Sequence, residues 1–237
     1  MDYKNQIFNM DCLAGMSMLP DSSVDMVLTD LPYGTTSGAW DTLLPLPELW
    51  KQLYRVAKPR AAMVFTAAQP FTTQLISSNR KHFRYCWYWI KNQVTGFPFS
   101  HFQPLRCVEE IAVFYRKAPT YNPQGLVALE HPRRNVGKHY TDESVYRKDG
   151  LSRTTWQRYT NYPRQILTVP CQREGLHPTQ KPVALFEYLV RTYTDPGQLV
   201  LDCCMGSGTT KVACRNAGRD YVGFEIDRKF YETAKSR

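Results

Sequence analysis

Apolar positions along this chain fall in short runs rather than in long helical stripes. Val24–Thr29 (VDMVLT), Ala61–Ala67 (AAMVFTA), Tyr85–Ile90 (YCWYWI) and Glu110–Tyr115 (EIAVFY) are each compact and rich in branched or aromatic residues, as buried strands should be. Gln6–Asn9, Gln198–Leu201 and Tyr221–Phe224 read as shorter strands. Helical stretches are predicted from Leu13 to Leu19, Pro47 to Ala57, Phe71 to Asn79, after Pro182, and from Thr209 to Asn216. In the second, Leu49, Leu53 and Val56 share a face and Pro47 takes the tolerated first-turn position. After Pro182, the pairs Leu185/Leu189 and Phe186/Val190 repeat at helical spacing. Strands alternating with helices in this way predict an α/β fold with a parallel sheet and crossover helices.

The alternation breaks at Lys117. Up to about Val169 the chain is rich in Arg, Tyr, His, Asn and Pro, with little periodicity beyond the run Leu126–Leu129. So long an irregular stretch inside a compact domain is usually functional or disordered. It is read here as an inserted recognition element, dividing the chain into residues 1–116, 117–176 and 177–237. Charge supports that division. The formal net charge is +9, and the segment from Arg116 to Lys181, with 12 Lys/Arg and 5 Asp/Glu, carries +7 of it. A polyanionic partner is the reading this favours, over a basic composition general to the host. Nothing approaches the ~18 uninterrupted apolar residues of a membrane helix, and the start MDYKNQIFNMD has no apolar signal core. Seven cysteines without a C-x-x-C pair argue against a disulfide framework or a metal site and fit reduced thiols in a cytoplasm.

Two strand ends carry candidate chemistry. Val24–Thr29 delivers Asp30-Leu31-Pro32-Tyr33-Gly34: a carboxylate, a stiff turn and a flat ring. Such a set suits a planar, amine-bearing ligand such as a nucleobase. Taken alone, the same residues fit a strand end whose Asp caps the next segment and whose Tyr is core. The second is Leu199–Glu225, which reads strand, glycine turn, helix, strand, acid. Gly206 and Gly208 allow close backbone approach, and Glu225 follows Gly206 by 19 residues, about the spacing of a ribose-binding acid. Lys211 stands where a third glycine would be, and there is no phosphate loop. A ribose-bearing ligand without a pyrophosphate fits better than a dinucleotide or ATP; a tight turn with no ligand is the alternative.

Together these motifs resemble the S-adenosylmethionine-dependent amino-methyltransferases of DNA. Asp30-Leu31-Pro32-Tyr33 is similar to their [D/N/S]-P-P-[Y/F/W] active-site motif. Asp202-Cys203-Cys204-Met205-Gly206-Ser207-Gly208-Thr209-Thr210 is similar to their D-P-F-x-G-S-G-T-T cofactor motif, and His177–Pro182 (HPTQKP) matches the segment leading into it. The active-site motif comes first, as in the beta group, which holds many adenine-N6 and some cytosine-N4 enzymes. Within it the chain looks most like short phage or mobile-element enzymes. Leu31, Cys203 and Cys204 depart from the pattern.

The resemblance implies a Rossmann-like methyltransferase fold with circularly permuted motif order and a mostly parallel sheet of about seven strands. It implies S-adenosylmethionine held by Asp11, the Cys12 backbone, Asp30, Lys181, Asp202, Gly206, Gly208 and Glu225. Asp30 and the Leu31 carbonyl would accept the two amine hydrogens, with Pro32 stiffening the turn and Tyr33 stacking on a base turned out of the duplex. Phe97 and Phe99, in a Gly/Pro-containing segment, are candidates for a second wall, with core or loop packing the equal alternative. Arg133, Arg134, Lys138, Arg147, Lys148, Arg153, Arg158 and Arg164 would contact double-stranded DNA. The expected enzyme is an adenine-N6 methyltransferase of restriction-modification type, without a metal, as monomer or homodimer. Alternatives are a cytosine-N4 enzyme, an RNA adenine methyltransferase, or an inactive DNA-binding scaffold.

Overall fold

The computed structural model describes residues 3–36, 38, 41–135, 155–172, 174–176 and 179–237. Residues 3–122 and 165–237 make one compact unit, and 123–164 a second.

The first unit is built on one sheet. Its strands are β1 (Gln6–Phe8), β2 (Val24–Asp30), β3 (Ala57–Ala67), β4 (Phe83–Thr95), β5 (Arg106–Phe114), β8 (Ile166–Thr168), β9 (Leu199–Asp202) and β10 (Asp220–Phe224); β6 (Val127–Asn135) and β7 (Thr155–Thr160) belong to the second unit. The order is β1-β10-β9-β2-β3-β5-β4-β8. All neighbours pair in parallel except β3–β5 and β5–β4. The expected mostly parallel sheet is present, with one strand more than expected. β8 spans three residues, too short to show a pattern, and is fixed by pairing with Tyr88–Ile90.

Alternation along the strands sorts the core into two layers. Met26 and Leu28 of β2, with Ala62 and Val64 of β3, face α4 (Val183–Tyr193) and α5 (Thr209–Ala217) through Leu185, Phe186, Leu189, Val190 and Ala213. Val27, Met63 and Phe65 point the other way, against Met16 of α1 (Cys12–Ser17), Leu49, Leu53 and Val56 of α2 (Leu46–Val56), and Phe71 and Leu75 of α3 (Phe71–Ser78). Burial on both faces is why these strands appear as unbroken apolar runs. A final helix, α6 (Arg228–Ser236), was not legible as a run. Its buried residues are only Phe230 and Ala234, and Asp227 caps it by accepting from the amides of Lys229 and Phe230.

In the second unit, β6 (Val127–Asn135) and β7 (Thr155–Thr160) form a two-stranded antiparallel ribbon. Sequence alone gave only Leu126–Leu129 there. The ribbon is exposed on nearly every residue, so it has no apolar face to leave a period of two.

Candidate active site

Parallel strands bring their carboxyl ends to one edge of the sheet, and β2 lies at the centre of it, between β9 and β3. That edge carries Asp30, Asp202 and the residues following β10, where open α/β sheets bind ligands. A cavity of about 1050 Å³ opens there, lined among others by Asp11, Asp30, Tyr33, Lys181, Gly206 and Glu225. It exceeds the roughly 300–1,000 Å³ of an ordinary small-molecule pocket.

The Asp30 turn is held from three directions. Asp30 Oδ1 accepts from the Tyr33 hydroxyl (2.7 Å) and from Thr66 Oγ1 (2.5 Å), and Oδ2 accepts from Lys181 Nζ (2.7 Å). Lys181 is almost fully buried and lies 3.6 Å from Glu109 as well, which in turn pairs with Lys91 at 2.9 Å. Burial pulls the Lys181 pKa down, but attraction to Asp30 and Glu109 outweighs it, so the net shift is upward and the amine stays charged. The Tyr33 ring stacks on Phe71 at 5.2 Å between centroids and 18° between planes, and Lys181 Nζ sits 5.5 Å from its centre. Leu31 is buried in the core layer under α2, so its side chain serves packing.

Below this, Asp41 clamps the loop. Its Oδ1 accepts from the amides of Tyr33 (2.7 Å) and Gly34 (2.9 Å), and Oδ2 from those of Thr35 (2.8 Å) and Thr36 (2.7 Å). Gly34 has φ +66°, and a Cβ there would meet Leu43 at 2.9 Å, so the turn needs glycine. Asp41, Thr66 and Glu109 are absent from the sequence reading. Glu109 and Lys91 stand on the neighbouring strands β5 and β4, where other charged residues such as Glu110 and Arg84 hide them.

The second set of acids is tied to backbone. Glu225 Oε2 accepts from the Gly206 amide and Oε1 from the Asp227 amide, both at 2.8 Å. Asp202 accepts from the Cys204 amide at 3.0 Å and from the Thr210 hydroxyl. Gly208, at φ +83°, precedes α5 with a Cβ position only 3.1 Å from Ala234 Cα, so the glycine turn packs directly on α6. Burial raises the pKa of both acids, Asp202 to about 7. Asp11 caps α1, accepting from the Leu13 and Ala14 amides at 2.9 and 3.0 Å. Cys12 lies against Cys203 and Cys204; the hydrogen bonds these two thiols make to Cys12, and then burial, raise their pKa values. All are free thiols.

Every predicted residue of the two motifs therefore lines one cavity, except Gly208. Phe97 and Phe99 do not line it, contrary to the second-wall expectation; they are 76% and 53% exposed. His177 and Pro178 lie outside the described residues, as do Lys138, Arg147, Lys148 and Arg153. Arg133, Arg134 and Arg158 are exposed on the ribbon, with Trp156 and Tyr159, and Arg164 is exposed beyond it.

A family model described as DNA methylase, covering N6 and N4 amino-methyltransferases, matches residues 24–236. The chain belongs to this family. Among curated relatives, the methylase is 26% identical to the type II methyltransferase M.HpaI of Haemophilus parainfluenzae, over 96% of this chain and 72% of that protein. It is 25% identical to the DNA adenine methyltransferase YhdJ of Escherichia coli, over 98% of this chain and 81% of that protein. Its fold matches the crystal structure of the M1.HpyAVI–SAM complex with a TM-score of 0.64 and 23% identity, over 98% of both chains. No helix among the methylase's described residues is long and apolar enough to cross a membrane.

Proposed function

We propose that this methylase transfers the methyl group of S-adenosylmethionine to the N6 amine of adenine in double-stranded DNA, with the target base turned out of the helix. One observation carries the reading. Asp30, with its flanking turn fixed by Asp41, faces the same cavity as the Gly206–Glu225 turn, so an amine at one end and a cofactor at the other would meet within it.

The residues present fit that cofactor. Glu225 has one amide on each oxygen, leaving lone pairs for two ribose hydroxyls, and the Asp11–Cys12 backbone borders the same wall. Asp202 and Lys181 would lie by the amino-acid end. When bound, S-adenosylmethionine supplies an electrophilic methyl on a sulfonium.

The exocyclic amine is a poor nucleophile because its lone pair is delocalised into the ring. Asp30 and the Leu31 carbonyl would each accept one of its hydrogens, pyramidalising the nitrogen and freeing the lone pair. Asp30 has acceptor sites beyond those used by Tyr33, Thr66 and Lys181. The step is a displacement, so placement and electrostatics should supply most of the rate. Tyr33, backed by Phe71, offers a rigid face for the extruded base. The ribbon of β6 and β7 has the width a major groove admits, with Arg133, Arg134 and Arg158 exposed on it for phosphates or base edges.

The test is transfer of labelled methyl from S-adenosylmethionine into duplex DNA and into RNA, followed by nuclease digestion. N6-methyladenine in the duplex is expected. Label in cytosine N4, or in RNA alone, refutes the adenine-DNA assignment; no label in either refutes the activity.

A further inference from the structure

The segment between β4 and β5 is built at odds with its exposure. Phe97–Phe99 form one turn of 3-10 helix. The amides of Phe99, Ser100, Phe102 and Gln103 bond to the carbonyls of Gly96, Phe97, Phe99 and Phe99 at 2.9–3.1 Å. The tip's turn is thus closed by its own backbone hydrogen bonds. Yet Phe97, Phe99 and Phe102 are 76%, 53% and 89% exposed. Three clustered rings that join neither core layer make an exposed aromatic patch of the kind that marks an interaction site.

Position and charge say which partner. Thr95, the last residue before the tip, pairs with Arg106, the first strand residue after it. Both line the cavity, together with Gln93, Val108 and Glu109. The tip is therefore the outward continuation of the wall that also carries Glu109 beside Lys181. Within the tip itself, residues 96–105, there is no Asp or Glu, and Arg106 is exposed at its base; Lys91, further back, is paired with Glu109. An aromatic tip with an exposed arginine at its base and no acid within it, at the rim of a pocket that accepts a base, is complementary to a base stack lined by phosphates.

We propose that the 96–105 tip is a wedge that enters the DNA helix at the target position, with Phe102 and Phe97 stacking in the gap that the extruded base leaves. This rests on the reading of the chain as a methyltransferase that acts on an extruded base in duplex DNA. It gives the aromatic residues a positioning role; they touch neither the amine nor the methyl donor.

The test uses the full-length enzyme. Long-read modification mapping of DNA from expressing cells first identifies the target sequence. Oligonucleotide duplexes carrying it are then methylated by wild type and by the Phe97→Ala/Phe102→Ala double variant. Parallel duplexes have an abasic site opposite the target base, so that the base is already unpaired and less effort is needed to extrude it.

The double variant should lose roughly 10- to 100-fold in kcat/KM on the normal duplex, as expected if a few kcal/mol of unstacking is no longer offset. On the abasic duplex it should recover to within about threefold of wild type, and Phe102→Trp should retain activity on both. A fluorescence rise from 2-aminopurine at the target position should appear with wild type and be absent with the double variant. S-adenosylmethionine affinity should be unchanged.

Equal activity of wild type and double variant on the normal duplex overturns the wedge. So does an equal loss on both duplexes, or a tip-dependent change in sedimentation that makes the aromatic patch a contact between copies of the chain. Failure of wild type to methylate any duplex is a different outcome, which removes the underlying activity rather than the wedge alone.

Discussion

Asp41 and Asp202 are both buried carboxylates at the edges of one cavity, and they are perturbed in opposite directions. Burial pushes Asp41 up, but amides of the 33–36 turn outweigh it and its pKa ends below the ordinary value. Asp202 receives one described amide and a hydroxyl, too few to offset burial, and its pKa rises to about 7. Donors win at the shallower Asp41, and desolvation wins at the deeper Asp202. The same contrast separates the two halves of the site. On the amine side, Asp41 carries the work of shaping the backbone, which leaves Asp30 with side-chain partners only. On the cofactor side, Glu225 accepts from the Gly206 and Asp227 amides, and Asp202 from the Cys204 amide and the Thr210 hydroxyl. In one half the acid's partners are all side chains; in the other the acids also fix backbone.

The strongest way to break this contrast is to remove the acid from each half in turn. Asp30→Ala should lower kcat at least roughly 10³-fold while S-adenosylmethionine affinity, measured by calorimetry, stays within a few-fold of wild type. Near-normal turnover would mean that Asp30 does not orient the amine. Glu225→Gln can keep only one of its two amide contacts. It should raise KM for S-adenosylmethionine about 10- to 100-fold with kcat changed by less than about threefold in steady-state assays. A kcat defect as large as that of Asp30→Ala would erase the division between the halves.

Smaller effects test the supports. Asp41→Ala leaves the amides of residues 33–36 without their acceptor, and should cost about 1–3 kcal/mol in denaturant unfolding and roughly tenfold in kcat. Because its folded pKa is depressed, the stabilisation from Asp41 is present above its unfolded value near 4 and is lost as pH falls through the folded one. Asp202 runs the other way. Between about pH 4 and 7 the folded protein keeps that proton while the unfolded chain releases it, so stability falls as pH rises and the loss levels off above about 7. Asp202→Asn should therefore remove a decline of about 1–3 kcal/mol between pH 5 and 7, read from unfolding midpoints. An unchanged pH slope would show that Asp202 is not the group responsible.

Much of this was legible in the chain because burial on two faces writes itself into sequence. The runs at Val24, Ala61, Tyr85 and Glu110 became β2, β3, β4 and β5, and the strand-end acids fell where the runs stop. What was missed shares one property. β8, the β6–β7 ribbon and α6 bury few apolar side chains, so their pairing or capping leaves no periodic mark. The antiparallel return of β5 beside β3 and β4 was also hidden, since an apolar run has no direction.

The sequence by itself determined that the chain builds a two-sided α/β sheet and ends particular strands in Asp30, Asp202 and Glu225. It also determined that a basic segment separates the two motif-bearing halves. Only the tertiary structure decided that Lys181, 151 residues away, neutralises Asp30 at 2.7 Å. It alone decided that Asp41 shapes the turn and that Phe97 and Phe99 stand outside the cavity. The physical reason is that propensity and burial pattern are local, set by a residue and its near neighbours. Which charge meets which carboxylate depends on strand order, and strand order follows from how the whole sheet closes its two core layers.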